Sequence, residues 1–177
     1  MKKILIFSTA YYPRLVGGAE VAVKEITDRI NPADIEFHML TMRDHGDLSR
    51  FEKIGNVHVY RVGFSNIKMF SKYSFPFFAC LKALYLHKKH NFDAAWSIMA
   101  AYAGFAALFF KWLKPDVPFL LTLQEGDPKS HILRRVGIFY PLFKQIFKKA
   151  DTVQVISVYL ADFATAMGHK KKIHVIP

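Results

Sequence analysis

The chain has 177 residues, enough for one domain with a sizeable core, and its 52% apolar and 22% charged residues exclude a disordered segment. A single cysteine, Cys80, excludes an internal disulfide framework and fits a reducing, cytoplasmic compartment. The formal net charge of +11 leaves three classes of partner: nucleic acid, an anionic membrane surface, and phosphorylated small molecules.

Residues 3–8 (KILIFS) have the continuous apolar centre of a strand covered on both faces. The run is too short for a signal-peptide core, and Tyr11-Tyr12-Pro13-Arg14 interrupts it. The following loop ends in Gly17-Gly18-Ala19-Glu20 and opens a helix over 18–30, in which Ala19, Ala22, Val23, Ile26 and Ile30 recur at helical spacing. Strand, diglycine and helix start together make a candidate anion site, because unpaired N–H groups and the helix dipole converge there. The other reading is a plain tight turn. Strands are expected over 35–41 and 57–62 with a polar loop between them. A helix follows over 75–90, starting at Pro76, because proline suits a first helical turn.

Residues 94–110 are the longest uncharged run, and they read as a buried strand (93–97) followed by an apolar helix (100–113) rather than a membrane span. Residues 117–124 are a fifth strand. A loop over 125–130 rich in Gly, Asp and Pro leads to a helical region, 131–149, that Pro141 breaks or kinks. A strand (152–156), a helix (158–167) and a last strand (173–176) complete the chain. The closing KIHVIP reads as a buried strand, which needs a continuation to return the chain to the surface, so the chain is expected to be one half of a larger protein.

Alternating strands and helices with apolar strands throughout define an α/β fold: one doubly wound, Rossmann-like parallel sheet of about seven strands with helices on both faces. Ligands of such sheets bind at the carboxyl ends of the strands. That rule selects Tyr11 to Gly18, Ser97, Gln124 to Asp127, and Ser157. The glycines come late in the first loop, so the dinucleotide fingerprint is absent, as is the P-loop lysine pattern. The eight histidines look scattered, and no metal site is expected.

The run YYPRLVGGAEVAVKEI resembles the opening of the amino-terminal domain of family-4-like, GT-B-fold glycosyltransferases. DAAWS is similar to a strand that begins with aspartate in those proteins, and PFLLTLQEGD to a strand and loop that usually reads T-x-H-G. ADTVQVISVYLADFATAMG with KKIHVIP resembles their last Rossmann unit and the entry to the interdomain linker. The resemblance spans the whole chain. It implies the acceptor-side half of a retaining, metal-independent enzyme without cofactor. That enzyme moves a sugar from a nucleotide diphosphate sugar, held mainly by a second domain, to a hydroxyl acceptor. A lipid-linked acceptor and a cell-surface glycan precursor are among the options. This half alone is expected to be inactive.

On this resemblance Gly17 and Gly18 occupy the family's diglycine, with Glu20 beside them, and Gln124 occupies the position of the loop histidine. Glutamine donates and accepts hydrogen bonds but is no base, so Gln124 is expected to position a sugar hydroxyl or a phosphate. Glu125 and Asp127 would bind acceptor hydroxyls or stand in solvent. The family's histidine after the fourth strand is also absent. Trp96 and Ile98 hold that neighbourhood, and Trp96 reads more readily as core than as a sugar platform. Ser157 would donate to a phosphate or cap the next helix.

Seventeen phenylalanines accompany the basic charge. Phe70 to Phe78 with Lys82, and Phe139 to Lys149, form two aromatic and basic segments. Phe77, Phe78, Lys82, Lys144 and Lys148 are the candidates for contact with an anionic membrane, which would make the protein peripheral on the inner face. The alternatives bury these aromatics against the sheet or turn them toward the missing half. A basic module binding membrane or nucleic acid without catalysis is the rival reading. Against nucleic acid, no helix-turn-helix, RNP or zinc pattern appears.

Overall fold

The computed structural model describes residues 1–14, 16–43, 46–64, 68–124 and 136–177. Eight strands form one sheet: β1 (Lys2–Phe7), β2 (Ile35–Met42), β3 (Phe51–Ile54), β4 (Val57–Val62), β5 (Ala94–Ile98), β6 (Phe119–Leu123), β7 (Thr152–Val155) and β8 (Ile173–Val175). Their order is β3-β4-β2-β1-β5-β6-β7-β8. All neighbours are parallel except β3 and β4, which pair as an antiparallel hairpin. The helices are α1 (Gly18–Arg29), α2 (Lys68–His90), α3 (Ala103–Leu113), α4 (Tyr140–Lys149), entered through a 3₁₀ turn at Gly137–Phe139, and α5 (Val158–Ala166).

The expected doubly wound sheet is present, with one more strand than expected. β3 is short, alternates in and out of solvent, and lies at the sheet edge, where pattern is weakest. Its two-residue turn, Gly55-Asn56, has Gly55 at φ +55°. Asn56 turns back to α1: its side-chain amide donates to the Thr27 and Ile30 carbonyls at 3.1 and 3.0 Å, which satisfies the end of that helix.

The two faces are layered unequally. One carries α2, α3, α4 and α5 over a core that includes Leu5, Phe7, Phe75, Phe110, Phe119 and Phe147. Aromatic pairs hold it together, Phe143 on Phe147 at 5.2 Å and Phe147 on Phe163 at 5.7 Å between ring centroids. Gly104 lets α3 approach α4 closely, since a Cβ there would meet Ile146 Cδ1 at 3.1 Å. The other face carries α1, which packs Ala19 and Val23 on Ile6, Phe37, Met39, Val57, Val59, Trp96 and Ile98.

Three expectations need correction. α2 begins at Lys68, so Pro76 lies inside the helix. The turns before it are held by tertiary packing, with Ser71 and Phe75 fully buried, and by the Ser74 hydroxyl, which donates to the Phe70 carbonyl at 2.6 Å. The strands are not apolar throughout: Gln154 interrupts β7, and β6 carries Thr122. The last strand is not buried either. It is an edge strand, with Val175 44% and Ile176 56% exposed.

Two aspartates fasten the amino-terminal edge of the sheet. Asp93, just before β5, accepts from the Lys3 backbone N–H at 2.8 Å and from Lys2 Nζ at 2.8 Å. Asp151, just before β7, accepts from the Phe119 N–H at 2.9 Å, from Lys111 Nζ at 2.8 Å and from Lys171 Nζ at 2.6 Å. Partial burial pushes the Asp151 pKa up, but the two ammonium groups and the N–H outweigh it and hold the carboxyl at about 2.

Candidate functional site

The strand order reverses between β1 and β5: the chain winds outward through β2 and β4, then crosses back to the far side of β1. Ligand crevices of open parallel sheets form at the carboxyl ends of the strands at such a reversal. A cavity of about 840 Å³ lies there. Its rim holds Gly17, Gly18 and Glu20 from the start of α1, Met99 after β5, and Gln124 after β6. From this rim it runs down the α1 face of the sheet over Ile4, Ala94, Trp96, Leu120 and Thr122, as far as Gln154 and Ile176. The floor is mainly apolar and the rim polar. The cavity extends far down the sheet because no described helix covers the α1 face of β6, β7 and β8.

The diglycine has a geometry that a plain turn does not require. Gly17 sits at φ −112°, ψ −172°, ordinary extended backbone, and neither glycine is in the left-handed region. A Cβ added to Gly18 would meet nothing within 4 Å. A Cβ on Gly17 would meet Glu20 Oε2 at 3.0 Å, whereas glycine at position 18 is demanded neither by dihedral angle nor by packing within the described chain. It keeps the approach to the first turn of α1 open. Glu20 folds back so that its carboxylate accepts from the Gly17 N–H at 2.7 Å. That donor is therefore occupied, and the helix start offers the N–H groups that follow it.

Gln124 lies on the opposite rim, partly exposed. Trp96 is core with one edge on the cavity, 9% exposed, and its indole N–H donates to the Thr122 hydroxyl at 2.9 Å. The loop after β5 is strained: Met99 and Tyr102 have φ +67° and +47°, unusual for residues with a Cβ. The Ser97 hydroxyl and the Thr122 carbonyl hold Met99 there, the first donating to the Met99 carbonyl at 3.0 Å and the second accepting its N–H at 2.8 Å.

Of the site residues expected from sequence, Gly17, Gly18, Glu20 and Gln124 come together around this cavity. Ser157 does not line it. Its hydroxyl accepts from the Leu160 N–H at 3.3 Å, as the N-cap of α5. Glu125 and Asp127 lie outside the described residues. Sequence reading missed Thr122, Gln154 and Met99. The first two could have been found from period-2 alternation, since each stands between buried apolar neighbours on its strand.

A second cavity of about 330 Å³ opens beside the carboxyl edge on the other face, between Tyr73 and Phe77 of α2, Tyr102, Phe105 and Phe109 at and within α3, and Phe139 before α4. Its walls are almost wholly apolar, and Lys72 Nζ stands 5.0 Å from the Tyr102 ring centroid. The membrane candidates divide here. Phe77, Phe78, Tyr73, Leu81 and Tyr85 of α2 are exposed and recur at helical spacing, Phe77 at 63%. In the second segment Phe143, Ile146 and Phe147 are fully buried, while Phe139, with Ile138 just before it, and Lys148 are exposed. Among the described residues no helix is long and apolar enough to cross a membrane.

The geometry defines a Rossmann-like domain with a polar-rimmed cleft at its switch point, the architecture of GT-B glycosyltransferases. The sequence model for glycosyltransferase family 4 matches residues 16–177, and the chain belongs to that family. No curated protein matches the chain. Among solved structures it is similar to sucrose-phosphate synthase from Thermosynechococcus elongatus, with TM-score 0.76 and 14% identity over 100% of this chain and 48% of that one. It is also similar to UDP-N-acetylglucosamine 2-epimerase from Rickettsia bellii, with TM-score 0.57 and 11% identity over 96% of this chain and 43% of that one. At such identities the likeness is one of fold. The chain spans less than half the length of either protein.

Proposed function

We propose that this chain is the acceptor-side domain of a retaining glycosyltransferase, which moves a sugar from a nucleotide diphosphate sugar to a hydroxyl, the donor being held mainly by a second domain outside this chain. The observation that carries the reading is the cavity that joins Gly17, Gly18 and Glu20 to Gln124 at the switch point. Open helix N–H groups opposite a neutral hydrogen-bonding side chain suit a phosphate or a sugar hydroxyl. In this reading the first turn of α1 holds an anionic group and Gln124 orients a hydroxyl. Neither acts as a base, and Glu20 fixes the loop through Gly17. The strained Met99 backbone shapes the wall between them. The test is sugar transfer by the full-length protein across a panel of nucleotide sugars, beside the isolated chain. Transfer by the former and none by the latter supports the division of labour. Turnover by the isolated chain refutes it.

The acceptor is lipid-linked in this proposal, and the protein peripheral on the inner face of the membrane. The apolar cavity beside the carboxyl edge and the exposed aromatic stripe of α2 favour that choice. An amphipathic surface flanked by lysines suits an anionic interface, where each cation adds about 1 kcal/mol. Co-sedimentation with anionic vesicles should therefore be strong at low salt and fall partially, not completely, as salt rises, because the apolar contact is unscreened. No binding at low salt would remove the membrane from the proposal and leave the sugar chemistry standing.

A further inference from the structure

The histidines that look scattered along the chain are not scattered in space. At the amino-terminal edge, on the face opposite α1, His38 of β2 is almost fully buried, and its Nε2 donates to Glu36 Oε1 at 2.8 Å. The ring of His90, the last residue of α2, lies 4.4 Å from that of His38, centroid to centroid. Glu36, His38 and His90 each offer a ligand atom, and these atoms all fall within 4.8 Å of one another. His58, paired with His38 across β2 and β4, stacks on it at 5.1 Å and points Nε2 to 3.8 Å from the same carboxylate oxygen.

We propose that Glu36, His38 and His90 form a binding site for a late first-row divalent cation, Zn²⁺ foremost, with His58 beside it to close the coordination. Two or three imidazoles with one carboxylate are the donor set that Zn²⁺ takes in tetrahedral geometry, whereas Mg²⁺ and Ca²⁺ take oxygen. Metal–ligand bonds of about 2.0–2.1 Å place tetrahedral ligand atoms roughly 3.3–3.4 Å apart. The Glu36–His38 pair must open by about half an ångström from its hydrogen-bonded 2.8 Å. His90, at the helix end, supplies the adjustable arm.

The surroundings suit the role. Coordination through Nε2 displaces its proton from the bond to Glu36 and leaves the ring N–H on Nδ1, 3.4 Å from the Tyr60 hydroxyl, an outer partner that can accept it. Lys3 Nζ pairs at 3.7 Å with Glu36 Oε2, the oxygen turned away from His38, and so leaves Oε1 to the imidazoles. The site joins β2 to the end of α2 at the edge away from the polar rim of the cavity, so its role is structural.

The test is isothermal titration of the untagged protein with Zn²⁺ at neutral pH, with bound metal counted after dialysis. The expected result is one equivalent bound with sub-micromolar affinity and a melting temperature several degrees higher with Zn²⁺ than without. His90→Ala and Glu36→Gln, both at partly exposed positions, should each weaken binding at least 100-fold and abolish the thermal shift, while His174→Ala leaves both unchanged. Absence of stoichiometric zinc in the wild type, or retention of wild-type affinity by His90→Ala, would overturn the proposal.

Discussion

Gly18 offers the sharpest separation between a ligand-binding loop and a turn. It stands at the first position of α1, outside the left-handed region, and a Cβ there would meet nothing within 4 Å. Gly18→Ala should therefore fold without strain, and by narrowing the unfolded ensemble it should stabilise by about 0.4–1 kcal/mol. For a chain of this size that is roughly 1–4 °C in melting temperature. Gly18→Val adds bulk that projects into the cavity and should leave stability within about 0.5 kcal/mol of the wild type, as for a substitution that creates no clash. Function should move the other way. If a phosphate or acceptor oxygen approaches the N–H groups of the first turn, losing one charge-assisted hydrogen bond costs about 1.5–3 kcal/mol, a 10- to 150-fold loss in kcat/KM. The assay is calorimetry of the isolated chain beside transfer kinetics of the full-length protein. A Gly18→Val enzyme with unaltered kinetics and unaltered stability would refute the reasoning and make the diglycine a turn. A variant that fails to fold would refute the open geometry.

Gln124→Ala should lower kcat/KM by about 2- to 12-fold, the worth of one neutral hydrogen bond, with thermal stability unchanged; a loss of 10⁴-fold would instead signal an essential catalytic group. Asp151→Asn should destabilise by about 1–2 kcal/mol at pH 7, because it weakens bonds to two ammonium groups. The folded pKa of Asp151, about 2, lies below its ordinary 3.8, so this stability is fully present above pH 3.8 and fades as pH falls toward 2. Denaturant curves of wild type and variant should converge over that window. The Arg61 side chain is almost fully buried, donating to the carbonyls of Ser49 and Tyr12 at 3.0 and 2.7 Å and pairing with Glu52. Arg61→Met should cost about 3 kcal/mol, roughly 6–12 °C in melting temperature, and release the loop between β1 and α1.

The fold was legible where one period dominated a long segment. The apolar centre of β1 and the spacing of Ala19 and Val23 in α1 needed no tertiary context, although Ile26, read on the same face, is 45% exposed and Thr27 is buried in its place. It was less legible where tertiary contacts override local signals. Proline at position 76 suggests a helix start, yet the buried Ser71 and Phe75 hold two turns of helix before it. β3 carries only four residues, and its one clear sign is the Gly-Asn turn that joins it to β4. The histidine cluster was invisible for a related reason. Glu36 and His38 alternate on one strand face, and so do His58 and Tyr60, but only the parallel register of β2 with β4 makes them neighbours, and α2 must end where it does to bring His90.

The cavity follows from the arrangement of the helices. Four of the five described helices pack on one face, and α1 alone covers the other, over β1, β2 and β4. Among the described residues no helix lies on the α1 face of β6 and β7, and the side chains that line the cavity there are Leu120, Thr122, Gln154 and, just beyond the strands, Gln124 and Ile156. Their neighbours Leu121, Leu123, Val153 and Val155 are fully buried on the opposite face. A strand buried on both sides would not keep glutamine in mid-run, because an unpaired amide there costs about 1–3 kcal/mol. Gln154 instead donates to the Ile176 carbonyl at 3.3 Å, at the border of the cavity. The sequence therefore encodes the open half of the sheet in this alternation, as surely as it encodes the diglycine rim. Rim and floor are two ends of one feature: a helix start with an unobstructed first turn, beside strands whose polar members pack against no described helix.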